Sequence, residues 1–193
     1  MVKKLIRIST KCILIILFSN SLYAENQKIV FKPNQPSAFS AKLVAEKADG
    51  LEVKFSLNQF EFNTVATQYG NLLIVETSKA PQLLISGAPD VFYLPQSVII
   101  PNSGSMEFEV IPGDYKEYEN IDIAPSKGNL YRNVNPNEIP FSKGKTFEEN
   151  EFFPGELASL REPFILRDFR GQTIDVFPVQ YNPVTKTLRV YQD

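Results

Sequence analysis

Thr173-Ile174-Asp175-Val176-Phe177-Pro178-Val179-Gln180-Tyr181, then Asn182-Pro183-Val184-Thr185-Lys186, then Thr187-Leu188-Arg189-Val190-Tyr191, is the stretch that decides the fold. Two β-prone runs flank a short segment rich in turn formers, which is the signature of a hairpin. Working back toward the N-terminus, Leu51-Glu52-Val53-Lys54-Phe55-Ser56-Leu57 alternates apolar and polar residues after an Asp49-Gly50 turn signal, the pattern of a half-buried strand. Phe60 to Asn63 and Asn71 to Glu76 read the same way around Gly70. Ser97 to Ile100, Met106 to Ile111 and Ile121 to Ile123 fit short strands bounded by Pro95, Pro101, Gly113 and Pro125. Fourteen prolines punctuate the chain and no long run has a helical period. The expectation is an all-β, antiparallel, jelly-roll-like β-sandwich. Its final strand ends almost at Asp193, so it either lies between strands already formed or leaves an open edge in a sandwich that lacks its last strands.

The chemistry available to this sandwich is limited by composition. The 193 residues contain no histidine and one cysteine, Cys12. Cys12 opens a short apolar run, Cys12 to Phe18, behind Lys3, Lys4, Arg7 and Lys11 and ahead of small and polar residues ending at Ala24. That order predicts a secretory signal peptide over residues 1–24. The run is too short to span a membrane. Cleavage there removes four of the 20 basic residues and none of the 22 acidic ones, so residues 25–193 carry 16 minus 22, or −6. An acidic domain is poorly suited to a nucleic-acid backbone. The expected location is outside the cytoplasm: secreted, periplasmic or on the cell envelope.

Ser-His-Asp and Cys-His catalysis, and ordinary zinc sites, need ligands that residues 25–193 do not supply. Carboxylate pairs are present: Glu107 and Glu109 on one strand face, and Glu148, Glu149 and Glu151 in a loop. A glycosidase would set two such groups across a cleft, but solvated surface is the ordinary place for them. The acidic loop lacks the ligand spacing and glycine turn of an EF-hand, and no metal or other cofactor is expected.

Four ordered blocks are more specific. They are Ala124-Pro125-Ser126-Lys127-Gly128-Asn129-Leu130-Tyr131-Arg132-Asn133-Val134-Asn135-Pro136, Phe152-Phe153-Pro154-Gly155-Glu156-Leu157-Ala158, Pro163 to Gln172, and Gln180 to Arg189. Together they resemble the N-terminal propeptide of the gingipain family of secreted cysteine proteases. The likeness is dense from Ala124 to Tyr191 and continues in register through Leu94 to Ser97 toward the strands near Leu51.

The resemblance implies a non-catalytic β-sandwich that assists folding of a peptidase domain and keeps it latent. In arginine-specific members a propeptide loop presents an arginine to the specificity pocket, and the matching position is Arg132. Leu130 and Tyr131 would lie along the cleft before it and Asn133 after it. A guanidinium suits that task, because it is a rigid fork of donors that stays charged at any working pH. Lys127, Arg167 and Arg170 are lesser basic candidates; Arg167-Asp168 and Arg170-Gly171 read as structural pairs and a turn, and Lys143-Gly144-Lys145 as a solvated loop.

In the family the propeptide is followed by the peptidase domain with its catalytic histidine and cysteine, whereas this sequence stops at Asp193. A free-standing inhibitor, the front of an interrupted protease gene and a portion of a longer chain all remain open. The rival reading is an envelope or surface binding module that uses tyrosines such as Tyr115 and Tyr118 as contacts.

Overall fold

The computed structural model describes residues 27–47 and 50–193. The signal peptide read from residues 1–24 lies outside the described residues. The strands are β1 (Gln27–Val30), β2 (Phe39–Lys47), β3 (Gly50–Leu57), β4 (Gln59–Thr67), β5 (Gly70–Glu76), β6 (Leu94–Ile99), β7 (Tyr115–Tyr118), β8 (Ala158–Leu160), β9 (Phe164–Leu166), β10 (Phe169–Val176), β11 (Val179–Asn182) and β12 (Thr187–Tyr191). Two single 3₁₀ turns, Pro136–Glu138 and Lys145–Glu148, are the helical elements among the described residues.

The strands form antiparallel sheets in the orders β1-β4-β5, β6-β10-β8 with β9 also on β10, β11-β12-β7, and the hairpin β2-β3. Alternation along β4 buries Phe60 and Phe62 on one face, and along β12 it buries Leu188 and Val190. These faces meet in a core that also takes in Val75, Val91, Phe92, Ile121, Ile123 and Tyr181. Tyr118 of β7 stands edge-on to Phe60 and Phe62 of β4, with centroids 5.9 and 6.3 Å away, so two sheets share one aromatic cluster. Each such buried side chain contributes about 1.5–3 kcal/mol, so a core alone can sustain the fold without cross-links.

The expectation of one strand from Thr173 to Tyr181 is corrected. The run is two strands in two sheets: Val176 of β10 faces Leu94 of β6, and Val179 of β11 faces Val190 of β12. Pro178 sits between them and has no amide proton for a ladder, so the break falls where the chain changes sheet. The expected strand at Met106 to Ile111 is corrected as well. This segment has no strand assignment, and Phe108, Val110 and Ile111 are exposed rather than packed. Ile121 and Ile123 are buried, but they belong to no strand: Ile123 forms a parallel bridge with Leu73, and Ile121 N donates to Lys186 O at 3.0 Å.

The last strand is an inner one, since β12 has β11 on one side and β7 on the other. The residues after it are also engaged. Leu57 N donates to Gln192 O at 2.9 Å and Gly113 N to Asp193 O at 3.0 Å. The Asp193 carboxylate accepts from Ser56 Oγ at 2.7 Å and from Lys32 Nζ, and these partners hold its pKa low against the opposing effect of partial burial.

Candidate inhibitory loop

The segment that carries the sequence candidates starts in the core. Ile121, Ile123, Ala124, Pro125 and Ser126 are buried. Their backbone is stitched on both sides: Leu73 N donates to Asp122 O and Ala124 N to Leu73 O, while Asp90 N donates to Ala124 O and Ser126 N to Ala88 O, all at 2.7–2.9 Å. Tyr181, fully buried on β11, donates its hydroxyl to Ile121 O at 2.8 Å. Burial pushes that phenol up to about 12, consistent with a group held neutral.

At Gly128 the chain leaves this bed. Its φ of +81° is a conformation that side-chain-bearing residues rarely adopt, and a Cβ there would lie 2.9 Å from Ser86 Cβ. Beyond it, Val134 N donates to Tyr131 O at 3.0 Å and closes a turn with Arg132 and Asn133 at its two central positions. Tyr131 is 83% exposed. Arg132 and Asn133 are exposed, and Arg132 makes no hydrogen bond or ion pair among the described residues. Leu130 is half-buried and lines an open pocket of about 640 Å³ with Val65, Ile74, Leu84 and Phe141.

The return limb is fixed at its base. Asn135 Oδ1 accepts from Asn137 N at 3.1 Å and caps the 3₁₀ turn that Pro136 begins. Lys127 Nζ donates to Pro136 O at 2.7 Å and stands 4.2 Å from the centroid of the Phe141 ring. Lys127 therefore bridges the two limbs, a role that no local motif announces.

Asp90 lies in the wall of the same pocket, and its Oδ1 has no partner among the described residues. Burial first, and the Glu76 carboxylate second, push its pKa up to about 6.

The lesser basic candidates are occupied elsewhere. Arg170 Nη1 donates to Pro101 O at 2.9 Å and to Gly104 O at 3.0 Å. Arg167, at φ +56°, forms with Asp168 the tight turn between β9 and β10. Lys143 lies over the rings of Tyr69 and Phe147, and Lys145 pairs with Glu149 at 3.3 Å. The carboxylates do not converge: Glu107 and Glu109 are exposed on the segment before β7, and no acidic group that could hold a metal ion occurs among the described residues. Of the two tyrosines considered as contacts, Tyr118 is turned into the aromatic cluster and Tyr115 stacks beside Tyr191, 5.4 Å between centroids. No helix among the described residues is long and apolar enough to cross a membrane.

Comparison with known proteins gives the same family from sequence and from structure. The family model Propeptide_C25 matches residues 35–193. Gingipain R1 of Porphyromonas gingivalis is 41% identical over 142 residues, which are 74% of this chain and 14% of that protein. Gingipain R2 of the same organism is 37% identical over 152 residues, 79% of this chain and 21% of that protein. The chain thus spans between 8% and 21% of the length of the curated relatives it matches. The solved complex of P. gingivalis RgpB pro- and mature domains superposes with a TM-score of 0.75 at 37% identity, over 79% of this chain and 80% of that one. A structure concerned with zymogenic latency of gingipain K from P. gingivalis superposes with a TM-score of 0.72 over 87% of this chain and 94% of that one, and at 20% identity it attests the fold alone. A match over residues 35–193, with relatives at this identity, makes the chain a member of the Propeptide_C25 family, a gingipain-type propeptide domain.

Proposed function

We propose that this domain, exported behind the leader of residues 1–24, binds a gingipain-like cysteine peptidase domain and holds it inactive, with the loop Leu130-Tyr131-Arg132-Asn133 in the active-site cleft and Arg132 in the specificity pocket. The observation that carries the reading is the tied turn itself. Its tip offers an unengaged guanidinium, and its base is fixed by Lys127 on Pro136 O and by the buried segment before it.

The physics of that arrangement favours inhibition. A loop already held in a turn loses little conformational entropy on binding, so more of the contact energy appears as affinity. An arginine entering an acidic pocket gains charge-assisted, two-pronged hydrogen bonds. The turn also bends the backbone at Arg132-Asn133, whereas peptide cleavage calls for an accessible, extended main chain; a substrate-like side chain is thereby offered on a poor substrate backbone. The same contact, made while the peptidase domain folds, would support the folding assistance that the family resemblance implies.

The test is occupancy of the cleft. The purified protein should bind an arginine-specific gingipain peptidase domain, and prior alkylation of that enzyme by an arginyl affinity label should abolish binding. Unchanged binding to the labelled enzyme would place the contact elsewhere and overturn the reading.

A further inference from the structure

The segment from Met106 to Ile111 alternates like a strand and yet pairs with none among the described residues. Its ends are fixed: upstream, Arg170 holds Pro101 and Gly104 by their carbonyls, and downstream, Gly113 N donates to Asp193 O. Between these anchors Phe108 is 47% exposed and Ile111 83%. An extended apolar run fixed at both ends and left in solvent marks a candidate interaction surface.

Beside it runs a free sheet edge. Among the described residues β8 lies at the end of its sheet and pairs only with β10. Leu157 O and Arg161 N bond toward β10, accepting from Phe177 N and donating to Thr173 O at 2.9 Å each. In an antiparallel strand the intervening residues of the opposite parity point their amides and carbonyls the other way, so Ala158 and Leu160 present theirs outward. Phe108 and Val110 on one side, and Glu156, Leu157, Ala158 and Leu160 on the other, line one open groove of about 590 Å³. The groove therefore has strand-like backbone on one wall, a strand edge on the other, and a mostly apolar lining.

We infer that this groove is a second docking site for the cognate peptidase domain, which places one extended segment between Met106–Ile111 and β8 by β-augmentation. The inference rests on the inhibitory reading above and extends it from the loop to a separate surface. Charge selects the occupant. Among the described residues Glu156 is the only charged one lining the groove, no lysine or arginine lines it, and Glu107 and Glu109 flank the lining Phe108 in sequence. The inserted segment is thus one that alternates apolar residues with lysine or arginine. Main-chain hydrogen bonds supply affinity in such pairings and the alternate side chains supply selectivity.

Amide hydrogen exchange on the protein alone and in complex with an arginine-specific gingipain peptidase domain tests this. The amides of Phe108 to Ile111 and of Ala158 and Leu160 should exchange freely in the protein alone and slow by about tenfold or more in the complex, as expected for newly paired strands. The slowing should persist in a complex formed at saturating concentration by Arg132→Ala. Val110→Pro, which removes one donor, and Phe108→Glu, which adds a like charge but keeps every donor, should each weaken inhibition by about tenfold, equivalent to about 1.4 kcal/mol. A complex in which these amides exchange as fast as in the free protein overturns the inference and leaves the loop reading standing. Failure of the wild-type protein to form any complex overturns both. Slowing that grows with the protein's own concentration, without peptidase, assigns the groove to a second copy and overturns the inference too.

Discussion

Tyr181→Phe removes the hydroxyl at the root of the loop-bearing segment, which donates to Ile121 O and also accepts from Ile123 N at 3.5 Å. Tyr181 is 1% exposed and donates to Ile121 O at 2.8 Å, and Ile121 is itself fully buried. The substitution keeps the ring, hence the apolar burial, and removes the donor. The Ile121 carbonyl then sits buried without that partner, which adds to the lost bond, and the sum is about 2 kcal/mol. For a domain of this size that corresponds to a fall in Tm of about 4–8 °C. Urea denaturation followed by fluorescence or circular dichroism should show a lower midpoint at an unchanged m-value, because the surface exposed on unfolding does not change. The difference should depend on pH with a definite sign. The folded phenol is raised to about 12 from 10.0, so the neutral form is favoured in the fold. Its contribution is complete below the unfolded value and is lost as pH climbs through the folded one, so the gap between wild type and variant should narrow above about pH 10. Equal midpoints at pH 7, or a gap that widens with alkali, would refute the reasoning.

Asp90→Asn should stabilise the domain at neutral pH. The folded pKa is raised from 3.8 to about 6, so the carboxyl's contribution is full below the unfolded value and is lost as pH rises through about 6. Screened at a half-buried site, the gain at pH 7.5 is about 1–2 kcal/mol, and denaturation from pH 4 to 7 should be flatter for the variant. Gly128→Ala forces a Cβ toward Ser86 at a left-handed position, so calorimetry should register a loss of about 1–2 kcal/mol, and inhibition should weaken because the loop's exit angle changes. Arg161→Met removes Nε from 2.7 Å beside Asp175, whose side chain is only 12% exposed, and stranding that carboxylate should lower stability by about 1–3 kcal/mol in urea melts.

What was legible in the sequence follows from where the physics is local. β3, β4 and β5 stand out because each has one face in the core and one in solvent, which writes a period of two into the residues. β11 could not be read that way: all four of its residues are buried, two of them polar. Gln180 is satisfied there by Gly155 N, Glu156 O and Phe177 O, and the Asn182 amide nitrogen by Asn150, and of these only Phe177 is near in sequence. Pro178 was visible, but the change of sheet that it marks depends on β6 and β12, which are distant in the chain. Met106 to Ile111 misled for the opposite reason, since its alternation is real while nothing among the described residues pairs with it. At the candidate site Arg132 was reached through the family resemblance, whereas the tie from Lys127 and the buried carboxyl of Asp90 are products of packing.

The inhibition constant of Arg132→Ala, set beside those of the wild type and Arg132→Lys against one arginine-specific gingipain, tests the central claim most directly. A buried arginine anchor predicts a loss of at least about 100-fold for alanine, with lysine between the two because a point charge fills the pocket without reproducing the fork. Three equal constants would contradict the claim and remove Arg132 from the mechanism.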